Sequence, residues 1–147
     1  MSLLEVSGLH AHYGKSHILH GVDLDVDDGA IVSLLGRNGS GRSTTLKAIM
    51  GLVPPTAGAV RLAGTDLAGH RPYDICRHGI GFVPEERMVF PNLTVEENLL
   101  MGVQTAPPGA HTWSIEAMYD YFPRLKERAA IRAGYLSGGE QQMLVIG

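Results

Sequence analysis

The sequence holds one cysteine, Cys76, so it cannot close an internal disulfide, and no second cysteine completes a C-x-x-C zinc pair. Positive charge is not in surplus either. Twelve basic residues against 15 acidic ones leave a formal charge of −3 with histidines neutral. Duplex-binding domains show the opposite balance, so nucleic acid is not expected as a partner. The start, Met1-Ser2-Leu3-Leu4-Glu5-Val6, lacks the basic n-region and long apolar stretch of a signal peptide. Apolar runs such as Ile31–Leu35 fall far short of a membrane span. Glycine shows no triplet period, which excludes collagen, and there is no internal repeat or low-complexity tract. These absences leave one globular domain, expected in a reducing cytosolic setting.

What is present is glycine. There are 19 in 147 residues, nearly double the usual share of roughly 7%. They sit at element ends and in two dense clusters, 36–41 and 138–139, where a backbone must approach something closely. Hydrophobic residues make up 44% and charged residues 18%, enough for a core and too little charge for a disordered tail.

The pattern predicts strands over Leu3–Leu9 and Val22–Val26, a turn at Asp27-Asp28-Gly29, and a buried strand of a mostly parallel sheet over Ile31–Leu35. A glycine-rich loop follows, then a helix over Ser43–Met50 closed by Gly51 and Pro54-Pro55. Strands are expected over Gly58–Leu62 and Ile80–Val83, and a short helix over Pro72–Arg77. Thr94 and Glu97 form a capping-box pattern ahead of Leu99-Leu100-Met101. Residues 103–112 read as a loop, Ser114–Phe122 as a helix stopped by Pro123, and Glu140–Gly147 as a helix start. The order is α/β with an inserted helical region.

Gly36-Arg37-Asn38-Gly39-Ser40-Gly41-Arg42-Ser43-Thr44 follows an apolar run and opens a helix, the context of a phosphate-binding P-loop. Its glycines let backbone N–H groups turn inward around phosphate oxygens, and the helix N-terminus adds donors and partial positive charge. Ser43 occupies the position of the Mg²⁺-ligating hydroxyl, and Thr44 can donate to a phosphate nearer the sugar. The competing reading is a glycine-rich surface turn. The pattern departs at Arg42, where it has lysine. Arginine keeps the charge but is planar and forked rather than a point donor, which puts γ-phosphate placement in question.

Leu136-Ser137-Gly138-Gly139-Glu140-Gln141-Gln142 again places two glycines at a helix start. With this run the sequence resembles the ATP-binding subunit of an ABC transporter, whose signature motif it matches. The resemblance implies a P-loop NTPase fold of the ABC ATPase type, incomplete here. An antiparallel N-terminal β region, a strand–P-loop–helix core over about 1–84 and a helical subdomain over about 85–135 would lead to the signature at 136–147.

It also implies ATP and Mg²⁺ as cofactors, held by Gly36, Asn38, Gly39, Ser40, Gly41, Arg42, Ser43 and Thr44. Tyr13 would stack on adenine, a contact typically contributing about 1–3 kcal/mol in base recognition. Glu85 falls at the Q-loop, where most members carry glutamine, and would reach Mg²⁺ or its water together with Ser43. Ser137, Gly138, Gly139 and Glu140 would face the ATP of a second ATPase subunit. The remaining partners would be membrane permease subunits, placing the protein at the inner face of the cell membrane.

The runs Pro91–Leu99, Phe122–Arg128 and Leu136–Gly147 resemble the ATPases of branched-chain (hydrophobic) amino-acid uptake. The strand ending in Asp-Glu and the switch histidine of the family are expected beyond the point where this sequence stops, so ATP hydrolysis by the chain alone is expected to be nearly absent. The missing strand would leave apolar surface and an unpaired edge exposed. A degenerate, non-catalytic subunit acting as an interaction module is the alternative. ABC ATPases of DNA repair or translation are disfavoured, because no coiled-coil or tandem insertion stands between Gln104 and Arg132. His10, His12, His17 and His20 have no carboxylate partner in the pattern and read as solvated, with metal binding the lesser alternative. Arg124, Lys126, Arg128 and Arg132 read as a solvated helical face, with a partner contact as the alternative.

Overall fold

The computed structural model describes residues 2–104 and 113–147, so most of the loop expected over 103–112 lies outside the described residues. The chain divides into two compact units, Met1–Phe82 and Val83–Gly147.

The first unit is built on two long strands, β1 (Ser2–Tyr13) and β2 (Ser16–Asp27), joined by a tight turn at Gly14-Lys15. β1 also pairs antiparallel with β3 (Pro55–Leu62), and β3 with the two-residue β4 (Thr65–Asp66), giving the order β2-β1-β3-β4. The antiparallel N-terminal region is therefore as expected, but its strands run further than the period-2 pattern indicates. Val6 is buried, and then the buried set shifts to Leu9 and Ala11, so the alternation changes phase. A register shift between Val6 and Leu9 accounts for this, and the Gly8 N–H there donates to Asp23 Oδ1 at 2.7 Å.

Helix α1 (Arg42–Ile49) packs Ala48 and Ile49 into the core formed with Val6, Leu9, Leu19 and Val60. Helix α2 (Pro72–Arg77) starts on Pro72, as predicted, and adds Ile75 to that core.

Two predicted strands are corrected. Ile31–Leu35 and Ile80–Val83 pair with none of the described strands. A run apolar on both faces needs a flanking strand on each side, and the four-stranded sheet offers it neither. Ile31 is consequently 96% exposed and Leu35 87%, where a buried strand was expected. Ile80 and Phe82 instead lie partly buried against the first core.

The second unit is helical: α3 (Val95–Gly102), α4 (Ile115–Tyr121), α5 (Pro123–Glu127), a 3-10 turn at Ala133–Tyr135 and α6 (Gly138–Ile146). The capping box at α3 is formed as the sequence predicts: Glu97 N–H donates to Thr94 Oγ1 at 3.2 Å, and Thr94 N–H to Glu97 Oε2 at 2.7 Å. Pro123 ends α4 and opens α5 at its first position, where a missing N–H costs nothing. Val95, Leu99, Leu125, Ala133, Leu136 and Leu144 form this unit's own core. Among the described residues no helix is long and apolar enough to cross a membrane.

Candidate functional site

In the first unit, residues 36–41 form an exposed loop that turns into α1. Ser40 N–H donates to Arg37 O at 3.1 Å, curling the loop back on itself. A Cβ on Gly36 would meet the Ser40 hydroxyl, so the glycine lets that side chain lie across the loop. Gly41 is the N-cap of α1 with φ +89°, a left-handed conformation, and a Cβ there would stand 2.9 Å from Leu19 Cδ2. The first half of β2 thus fixes the point at which loop becomes helix.

No side chain caps α1 at Gly41. Arg42, Ser43 and Thr44 occupy the first turn, whose N–H groups have no intrahelical acceptor. The next residue, Thr45, is buried and sends both its N–H (2.7 Å) and its Oγ1–H (2.9 Å) to Gly41 O, anchoring the turn from below. Arg42 Nη2 reaches Asn38 Oδ1 at 3.5 Å, so its fork leans back over the loop. Tyr13 stands half-exposed at the far end of β1, opposite Ser16. An uncapped helix start behind a glycine-closed loop has the donor set of an anion cradle. On this ground the residues present fit a nucleotide's phosphates.

In the second unit, Ser137 is the N-cap of α6, and Gly138 and Gly139 are its first two residues. This helix start is satisfied from within. Glu140 N–H donates to Ser137 Oγ at 3.3 Å, and Ser137 N–H to Glu140 Oε2 at 2.9 Å. Glu140 Oε1 accepts from Arg124 Nε at 3.1 Å and lies 4.0 Å from Arg128 Nε. The Ser137 N–H is the main force holding the Glu140 carboxyl below its ordinary range. Partial burial opposes it, and the two arginines and the Ser137 hydroxyl add to it.

Arg124 and Arg128 are therefore not merely a solvated face: they tie α5 to the start of α6. Arg124 also pairs with Glu127 at 2.6 Å. Sequence reasoning missed both arginines because the partner carboxylate lies 16 residues away from Arg124. Glu85 lies in a turn of the second unit and Ser43 in α1 of the first, so the two expected Mg²⁺ contacts belong to different units.

The comparisons agree with this architecture. The family model described as ABC transporter matches residues 19–147, and the chain belongs to that family. It is 43% identical over 145 residues to the high-affinity branched-chain amino acid transport ATP-binding protein BraG of Pseudomonas aeruginosa, covering 99% of this chain and 62% of that protein. It is 40% identical to the probable branched-chain amino acid transport ATP-binding protein LivF of Archaeoglobus fulgidus, covering 98% of this chain and 61% of that one. The chain thus spans about three fifths of the length of these relatives. A solved ATP-binding subunit of an ABC transporter superposes with a TM-score of 0.77 at 34% identity, covering 99% of this chain and 60% of that one. The fold class expected from the resemblance is that of the ABC ATPases.

Proposed function

We propose that this chain belongs to the energy-coupling subunit of an importer for branched-chain amino acids and binds MgATP through the loop 36–41 and the first turn of α1. The observation that carries the reading is the start of α1 without a side-chain cap, behind a glycine-rich loop that enters the helix through the left-handed Gly41. Backbone N–H groups of this turn would hold the phosphates, with Gly36, Asn38, Gly39, Ser40 and Gly41 shaping the loop. Arg42 would add positive charge, Thr44 a further donor, and the Tyr13 ring a face for adenine. Ser43 and Glu85 would meet the Mg²⁺, which when bound neutralises phosphate charge. Ser137, Gly138, Gly139 and Glu140 would face the nucleotide of a second ATPase subunit, and permease subunits would hold the assembly at the membrane's inner face. The similarity to BraG and LivF supports the solute class.

Arg42 favours a second reading, a degenerate subunit that contributes its signature face to an intact ATPase, because the fork leans to Asn38 rather than ending as a point donor. One titration separates the two. On the first reading, fluorescent MgATP binds the chain and Arg42→Lys tightens it by about tenfold, the size of one charge-assisted hydrogen bond. Absence of nucleotide binding by both forms, with pull-down of an intact ATPase retained, favours the second. Binding by neither, together with no pull-down, overturns both.

A further inference from the structure

The four histidines of the β1–β2 hairpin are not separately solvated. His10 faces His20 across the ladder and His12 faces His17, so all four meet on neighbouring strands. The His17 ring lies at the centre: 4.1 Å from His12 and within 6° of parallel, 3.9 Å from His20, and 5.1 Å from His10. His10 Nδ1 and His17 Nε2 stand 2.9 Å apart. That distance is a hydrogen bond, so one ring supplies a lone pair and the other a proton.

The geometry points to a second use of this contact: His10 Nδ1 and His17 Nε2 form a two-imidazole site for a divalent transition ion, of which Zn²⁺ is the representative, which takes the place of the shared proton. Among the described residues no three histidine, cysteine, aspartate or glutamate side chains are placed to hold an ion together, so water completes the coordination. Imidazole selects Zn²⁺, Cu²⁺ or Ni²⁺ over the oxygen-seeking Mg²⁺ and Ca²⁺. Two nitrogens bound to Zn²⁺ at about 2.0–2.1 Å with a tetrahedral angle lie roughly 3.4 Å apart, about half an ångström more than here.

The surroundings allow that adjustment on one side and hold the other. His17 is sandwiched by His12 and His20, while His12 Nδ1 is tied to Thr56 Oγ1 at 3.0 Å on β3. The His10 ring instead rests over Gly21, where a Cβ would come within 3.3 Å of Nε2, so the glycine leaves the ring room there. His10 moves and His17 stays. A bound ion would then staple β1 to β2 just below the turn that presents Tyr13.

The test uses the untagged 147-residue chain at neutral pH and ZnCl₂. Calorimetry is expected to show one site, unaffected by excess MgCl₂. His10→Gln and His17→Gln should each weaken it by at least roughly tenfold, the loss seen even for an outer partner of a metal ligand. His78→Gln, which alters the separate His70–His78 ring contact, should leave it unchanged. Long-range ¹H–¹⁵N spectra of the unaltered chain need no variant to fold: one equivalent of Zn²⁺ should move one Nδ1 and one Nε2 together, those of His10 and His17. No binding, binding insensitive to both substitutions, or movement of the His70 and His78 nitrogens instead would overturn the proposal.

Discussion

The Arg87 guanidinium lies directly against the first residue of α6: a Cβ built on Gly138 would stand 2.5 Å from its Nη1 and 2.9 Å from its Cζ. The obstacle is the tip of a long, flexible side chain, not backbone. Gly138→Ala is therefore expected to push Arg87 aside and to change stability by no more than about 1 kcal/mol, with the gain in helix propensity offsetting the displacement. If Gly138 faces the nucleotide of a second subunit, the same change abolishes ATP-dependent pairing with an intact ATPase. A melting curve and size-exclusion chromatography with MgATP check the two halves separately. A large drop in midpoint would show that Arg87 is held rigidly.

The capping box beneath that glycine gives a pH prediction. Glu140 has its folded pKa depressed below the ordinary 4.5, first by the Ser137 N–H. Its contribution is therefore complete above that ordinary value and disappears as pH falls through the lower, folded one. Glu140→Gln keeps an acceptor for Ser137 but loses the charge that Arg124 and Arg128 meet. The stability difference between parent and Glu140→Gln should begin to shrink as pH falls below about 4.5 and vanish only below the lower, folded value. Ser137→Ala, which removes the cap itself, should cost about 1 kcal/mol at neutral pH. A difference that stays constant down to the acid transition would contradict the charge assignment.

Where structure was legible in the sequence, its cause was local. Thr94 with Glu97, and Pro72 at a first helical position, act within one turn, and their helices start where expected. Pro123, expected only to stop a helix, also opens α5, and α6 starts at Gly138, two residues ahead of the expected Glu140. Strand limits depend on partners far along the chain. β1 outran its pattern because the bulge at Gly8 reverses which residues face the core, and Asp23 of β2 satisfies the displaced N–H. β4 went unseen since Ala63-Gly64, both at positive φ, is a weak turn signal for a two-residue strand. The apolar run Ile31–Leu35 carries a strand's composition without a described partner, and composition alone does not make a ladder. In the candidate site the loop glycines were legible because they cluster within six residues just ahead of a helix. The histidine stack was not, since it forms only when β1 and β2 are in register.

The other ladder of β1, with β3, includes a close backbone contact at Gly58. It has φ +95°, and a Cβ there would run into the carbonyl groups of Ser7 and Gly8 on β1. Neither carbonyl can swing away, unlike the Arg87 side chain. Gly58→Ala should cost about 1–3 kcal/mol in backbone strain, and overpacking typically costs about 1–3 kcal/mol more. Gly69→Ala, also at positive φ (+76°) but with open space around it, should show the strain alone. Urea denaturation of the two variants side by side checks this. Equal losses would mean that β1 and β3 can separate without penalty at the bulge.

Asn98 holds the approach to α3 through both ends of its amide. Its Oδ1 accepts from Phe90 N–H at 2.8 Å, while its Nδ2 donates to Thr94 O at 2.8 Å and Phe90 O at 3.1 Å. One amide thus fastens the loop 90–94 to the helix that follows, using both its acceptor and its donors. Asn98→Asp keeps the acceptor but sets a carboxylate oxygen against the carbonyl oxygens of Phe90, Leu93 and Thr94. Asn98→Ala removes every bond but introduces no repulsion. Each should destabilise the second unit by about 1–3 kcal/mol, and the aspartate should recover as pH drops and it regains a proton to donate. Thermal melts of both variants at neutral and acidic pH decide the matter: parallel pH profiles for Asp and Ala would show that the Nδ2 bonds carry no weight.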